Sequence, residues 1–393
     1  MVPEGWTKHT VDNLFDVQLG KMLNKAAKER SPQEPYLTNF NVRWGTFDTS
    51  KLNSMFFSDK DKDKFSLKAG DLLVCEGGEV GRCAIWGNEV VPCYYQKALH
   101  RLRSKGQVVP KYFQSYMEHI AGTKNLDNFT SRTSIAHLTR EKFVKLPISL
   151  PPLPEQTKIA QILSTWDKAI ATTEQLLSNS QQQKKALMQK LLTGKKRFPG
   201  FEGEWTQFRL GAIFKERVET NFIDLSLISI TAEHGVISRD EVGRKDTSNA
   251  DKSKYRRICP ADIGYNTMRM WQGVSGLSGK EGIVSPAYTI LVPQEQVDPL
   301  YASYLFKSPE LIHVFYRHSQ GLVSDTWNLK YKAFSKIKWC FPAINEQREI
   351  ASILSVSDSE TKVLQQNLSY LKKEKKALMQ QLLTGKRRVK INV

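Results

Sequence analysis

The sequence predicts two α/β globular domains alternating with two long α-helices that form an antiparallel coiled coil, the whole an internal pseudo-twofold repeat. Three observations predict it. Glu155–Gly194 and Glu346–Gly385 align without a gap at an offset of 191 residues, with 21 identities in 40 positions. Each repeated segment places its seam residues at spacings that alternate between four and three, the coiled-coil period. The segments between them read as short apolar strands joined by glycine-containing turns. The expected boundaries are 1–151 and 199–342 for the globules, with 152–198 and 343–393 for the helices, linker and basic tail.

In the first globule, Asp71–Cys75 and Arg82–Trp86 read as strands flanking the turn Glu76–Gly81. Lys97–Leu102 and Val144–Leu150 read as further strands, and Pro110–Ile120 as a helix with proline at its first position. In the second globule the expected counterparts are strands at Asp262–Met270, Ile283–Val292 and Ile337–Phe341, and a helix near Leu300–Phe306.

The first helical seam runs from Ile159 and Leu163 to Leu187 and Leu191, the second from Ile350 and Leu354 to Leu378 and Leu382. Ser180 and Lys184 stand in the first seam where the second has Leu371 and Lys375. Such polar members weaken a generic zipper and fix its register. Pro154 precedes the first helix, and Gly194 and Gly385 fall where a C-terminal cap is wanted. Only the linker Lys195–Glu204 joins the first helix to the second globule, and it reaches at most ~35 Å. A parallel helix pair would make the chain return along the whole rod, so antiparallel packing is expected, with a globule at each end.

Composition bounds the chemistry. The chain has 393 residues, 58 Lys plus Arg against 40 Asp plus Glu, and a formal net charge of +18. That surplus suits a polyanion, because each cation placed on a phosphate releases condensed counterions; an indifferent basic surface or anionic lipid stays open on charge alone. The opening Met1-Val2-Pro3-Glu4-Gly5-Trp6 has neither a basic leader nor an apolar signal core. No run approaches ~18 apolar residues, so a cytoplasmic protein without a membrane is expected. The five cysteines form no C-x-x-C pair, and Cys75, Cys83 and Cys93 with His100 match no zinc spacing. Neither disulfide nor metal is expected.

Catalytic motifs are missing. Gly273–Lys280 has five residues between Gly273 and Gly279 instead of the four of a phosphate-binding loop, and Glu281 follows the lysine. No G-x-S-x-G, H-E-x-x-H, deaminase or amino-methyltransferase motif occurs. Polar loops mixing basic, hydroxyl, amide and aromatic residues are instead candidate base readers. In the first half these are Arg43, Trp44, Arg82, Tyr95, Gln96, Lys97, Ser131, Arg132, Thr133 and Ser134. In the second they are Arg239, Arg244, Lys245, Arg269, Met270, Trp271, Gln272, Ser324, Asp325, Thr326 and Trp327. The basic runs Lys195–Arg197 and Lys386–Arg388 follow the helix ends, where they could meet phosphates or the negative helix termini.

Taken in order, PEGW at 3–6, KAGDLLVCEGGEVGR at 68–82, LPPLPEQTKIAQIL at 150–163, GFEGEW at 200–205, SPAY at 285–288, INEQREIASIL at 344–354 and the twin ALMQ-x-LLTGK ends form a pattern. It resembles the specificity subunits of type I restriction-modification systems over nearly the whole chain. The second copy departs in reading Ala343-Ile344-Asn345 against Pro152-Leu153-Pro154, which puts its helix entry in question.

The resemblance implies that each globule is a target-recognition domain for one half of a bipartite, asymmetric site in double-stranded DNA. It implies no catalysis by this chain. Two methyltransferase subunits and restriction subunits would be its partners, and those subunits would carry S-adenosylmethionine, ATP and Mg2+. Carried over by position, Glu155, Gln156, Ile159 and Ile162, with Glu346, Gln347, Ile350 and Ile353, would organise the scaffold and its subunit contacts. Two other classes stay open on the residues alone: a self-contained enzyme acting on nucleic acid, and a coiled-coil scaffold that binds none.

Overall fold

The structure, a computed structural model, describes residues 2–130, 136–243, 249–323 and 326–391. The chain forms two compact units, Met1–Glu174 with Gln366–Val393, and Gln175–Gln365. Each contains one globule and half of each long helix.

The first unit is built on a four-stranded antiparallel sheet ordered Phe15–Leu19, Leu99–Ser104, Leu72–Cys75, Cys83–Ile85. Leu72–Cys75 lies inside the sheet and is buried throughout, which explains its unbroken apolar reading. Helix Pro110–Ile120 covers the core with Tyr112, Phe113 and Met117. Thr7–Thr10 pairs with Pro147–Leu150 at the entrance to the first long helix. Residues between Leu19 and Leu72 fold around a separate core of Tyr36, Phe57, Trp86 and Tyr95.

The second unit repeats the frame. Its sheet is ordered Phe214–Arg217, Tyr288–Pro293, Ile263–Asn266, Ser275–Leu277. Register is kept: Val74 faces Cys83 and His100, and Tyr265 faces Ser275 and Thr289. Thr206–Arg209 pairs with Lys338–Phe341 as Thr7–Thr10 does with Pro147–Leu150.

Several expected elements are shorter. The strand expected at Asp262–Met270 ends at Asn266, and Met270–Gln272 is a 3-10 turn. Ile283–Val292 is two strands, Gly282–Val284 and Tyr288–Pro293, and Val144 lies just past a helical turn at Arg140–Phe143. Helix Pro309–His318 was not expected; Leu311 and Phe315, its buried side chains, recur at helical spacing.

The long helices are Leu153–Leu191 and Ile344–Leu382, 39 residues each. They start at the same offset, so the altered entry at Ala343–Asn345 shifts nothing. Pro154 is tolerated because first-turn N–H groups have no helical partner. The seam is the buried stripe: Ile159, Leu163, Leu191, Ile350, Leu354 and Leu382 are all inside.

In the first unit Lys375 meets Asp167 at 2.7 Å and Lys372 meets Glu174 at 2.7 Å. In the second, Ser180 bonds Thr361 at 3.1 Å and Lys184 pairs with Asp358. Numbers rise on one helix as they fall on the other, so the helices run antiparallel. Both end in left-handed glycines, Gly194 and Gly385, as a helix C-terminus favours. At Gly385 a Cβ would come within 2.3 Å of Pro3 Cγ.

No helix among the described residues is long and apolar enough to cross a membrane. Cys75, Cys83 and Cys93 are buried; burial pushes the Cys75 thiol up to about 11 and that of Cys93 up to about 12. They are protonated, apolar core members.

Candidate nucleic-acid interface

Each sheet presents one hairpin loop with a second segment laid against it. In the first unit the loop Glu76–Arg82 joins Leu72–Cys75 to Cys83–Ile85, and Leu138 N–H bonds the Glu76 carbonyl at 2.7 Å. In the second, Thr267–Val274 is the equivalent loop, and Leu329 N–H bonds the Thr267 carbonyl at 2.9 Å. Leu138 and Leu329 are fully buried anchors. The segments they tether contain Ser131, Arg132, Thr133 and Ser134 in one unit and Ser324–Trp327 in the other. Residues 131–135, 324 and 325 lie outside the described residues, as do Arg244 and Lys245. Among the described residues, Leu138 and Leu329 are thus held against the start of their unit's hairpin loop.

What locks each anchor differs. His100 Nε2 donates to the Leu138 carbonyl at 2.8 Å. Its buried Nδ1 has no partner among the described residues, and burial holds its pKa below the ordinary histidine value. In the second unit the Tyr265 hydroxyl donates to the Leu329 carbonyl at 2.9 Å.

In the second loop Arg269 is half-buried and makes no side-chain hydrogen bond or ion pair among the described residues. Beside it Trp271 Nε1 donates to the Met268 carbonyl at 3.0 Å. The Trp271 ring meets Trp327 edge-on at 5.2 Å, and Trp327 meets Tyr316 at 4.9 Å. These rings hold the loop in shape while the guanidinium engages none of the described residues. Gln272 is exposed, and Thr326 is exposed with its hydroxyl donating to the Val323 carbonyl at 2.9 Å.

The first loop corrects two expectations. Arg82 donates to the Asn39 carbonyl at 2.8 Å and to Glu79 at 3.0 Å, so it is a brace inside the fold. Tyr95 is fully buried and packs on Phe65 at 6.0 Å, out of reach of any base. Arg43 and Lys97 are exposed, and Trp44 is held by a hydrogen bond from Nε1 to Glu79 at 2.6 Å. Arg239 is half-buried in the short turn Arg239–Val242 and has a partner.

The helix starts form a joint made identically twice. Gln156 accepts from Val109 N–H at 2.8 Å and donates to the carbonyls of Gln107 and Pro151 at 3.1 and 2.9 Å. Gln347 does the same with Asp298 N–H, Gln296 and Pro342, each at 2.9 Å. Glu155 and Glu346, both buried, receive bidentate pairs from Arg388 at 2.7 and 2.8 Å and from Arg197 at 2.8 and 2.8 Å. The four polar side chains therefore face inward, within the chain, and cannot themselves meet a partner subunit. Ile159 and Ile350 are buried with them, Ile162 is partly buried, and Ile353 is the exposed member of the set.

The basic runs thus have a third role beyond phosphate and helix terminus. The legible signal was that Arg197 and Arg388 recur at the same 191-residue offset as Glu155 and Glu346, each arginine pairing with the glutamate of the other copy.

Residues 3–179 match the family model for the type I restriction modification DNA specificity domain. A type I restriction enzyme MjaVIII specificity subunit from Methanocaldococcus jannaschii is 24% identical, the match covering 99% of this chain and 94% of that one. Residues 3–179 thus carry this specificity domain, and the chain as a whole is similar to type I specificity subunits. Its fold agrees with a type I restriction-modification S subunit from M. genitalium, at a TM-score of 0.61 and 15% identity over 100% of this chain and 97% of that one. A second solved chain, from a study of complex assembly and conformational transition of the type I system, gives a TM-score of 0.58 at 15% identity, covering 98% of this chain and all of that one. The matching frames and divergent loops of this chain are consistent with a DNA-recognition role: one support, two surfaces.

Proposed function

We propose that the chain directs a type I restriction-modification complex to a bipartite, asymmetric site in double-stranded DNA. Residues 1–151 and 199–342 are the two target-recognition domains, each reading one half-site. The helical segments 152–198 and 343–393 space the half-sites and carry two methyltransferase subunits, with restriction subunits joining through them in the cytoplasm. Catalysis belongs to those partners, which hold S-adenosylmethionine, ATP and Mg2+.

The reading is supported above all by two frames that share joints and register while their loop side chains differ: the first loop's arginine is tied down, and the second's has no partner among the described residues. Specificity needs side chains free to meet base edges, whereas phosphate contacts carry no sequence information. Purified with its methyltransferase partner, the chain should protect one bipartite sequence, with affinity falling steeply as salt rises. Equal methylation rates on unrelated duplexes would end this proposal.

A further inference from the structure

The first unit's hairpin loop is overlaid by the segment Thr38–Asp48. Three hydrogen bonds seat it: Arg82 to the Asn39 carbonyl at 2.8 Å, Trp44 Nε1 to Glu79 at 2.6 Å, and Gly45 N–H to the Cys83 carbonyl at 3.0 Å. The segment is also braced from within. Buried Asn41 accepts from the Thr38 N–H and hydroxyl at 2.9 and 2.8 Å, and its amide donates to the carbonyls of Asp48 and Lys51 at 2.9 and 3.1 Å.

At the tip of this fixed loop stands Phe40, with 77% of its surface in water. A ring so exposed adds little to packing in the chain itself. Arg43, beside it, is exposed and only loosely opposed by Asp48 at 3.8 Å. In the equivalent loop of the second unit, Arg269, which has no partner among the described residues, and the aromatic Trp271 lie on the hairpin itself.

We propose that Thr38–Asp48 takes over in the first globule the reading position that Thr267–Val274 holds in the second, with Phe40 setting specificity through duplex DNA. This rests on the DNA-reading function above. In the major groove the apolar group a ring can distinguish is the thymine methyl, and Arg43 supplies the charge that holds the loop to the duplex. The hairpin's own arginine, Arg82, is a positioning residue for this loop.

The test uses the chain in complex with its methyltransferase partner, on duplexes carrying the site mapped from methylated adenines in cells. Phe40→Ala is expected to bind the cognate duplex at least ~10-fold more weakly, with an unchanged melting temperature and unchanged tolerance in the other half-site. Replacing the contacted thymine by deoxyuridine should weaken the wild type similarly and add nothing to Phe40→Ala. A variant that binds and discriminates like the wild type overturns the proposal. So does the absence of any thymine whose uracil penalty disappears in the variant. A wild-type complex with no site preference would instead remove the underlying function.

Discussion

The loops Glu76–Arg82 and Thr267–Val274 leave matching strands of matching sheets, yet their arginines have opposite fates. Arg82 is consumed in bracing Asn39 and Glu79, whereas Arg269 has no such partner among the described residues. The anchors beneath them differ as well, a histidine lock on Leu138 against a tyrosine lock on Leu329. The helix joints, by contrast, are copied bond for bond. Repetition in this chain is strict where load passes into the helices and loose where the surface faces outward. Duplication has preserved the support and released the tips.

If the joints are truly equivalent, Gln156→Ala and Gln347→Ala should hurt alike. Each strands one buried N–H and two carbonyls, costing about 3 kcal/mol, read as a lower denaturant midpoint for the affected unit. A large loss from only one of them would break the equivalence. Next in size, Arg82→Ala should destabilise the first unit by about 1–2 kcal/mol. Arg269→Ala should leave melting unchanged while relaxing one position of one half-site ~10-fold or more. Arg269→Lys should keep affinity and lose discrimination, since lysine lacks the bidentate fork.

The smallest effect separates the anchors by pH. The folded pKa of His100 lies below its ordinary 6.5, because burial disfavours its charged form. The unfolded chain therefore takes up this proton first as pH falls through 6.5, and the first unit loses stability on acidification. Tyr265, pushed upward by burial, stays neutral there. Hydrogen exchange at pH 5.5 against pH 7.5 should show Leu138 losing protection ahead of Leu329. Equal loss at both would rule the histidine out.

Much of this was legible in the sequence. The heptads gave both helices to within two residues, because a sustained period over many turns leaves one solution. The strands around Glu76–Gly81 followed from glycine and apolar runs. Individual readers were harder, because residue type does not reveal prior engagement. Arg82 and Arg269 look alike as letters, and only coordinates show the carbonyl that claims one of them. Tyr95 sat between Tyr94 and Gln96 in a polar-looking run, yet its strand turns it into the core. Phe40 escaped notice because an isolated phenylalanine reads as core; its exposure comes from Asn41 and Thr38 fixing the loop beneath it.

The clasp between Arg388 and Glu155 has a consequence for synthesis. The unit containing the first globule is assembled from both ends of the chain, whereas the other is contiguous. On the ribosome, Glu155 emerges more than two hundred residues before its arginine, a buried carboxylate awaiting its counter-charge. The globule translated first is therefore the one completed last, and ribosome-bound intermediates should carry a finished second globule beside an unlatched first.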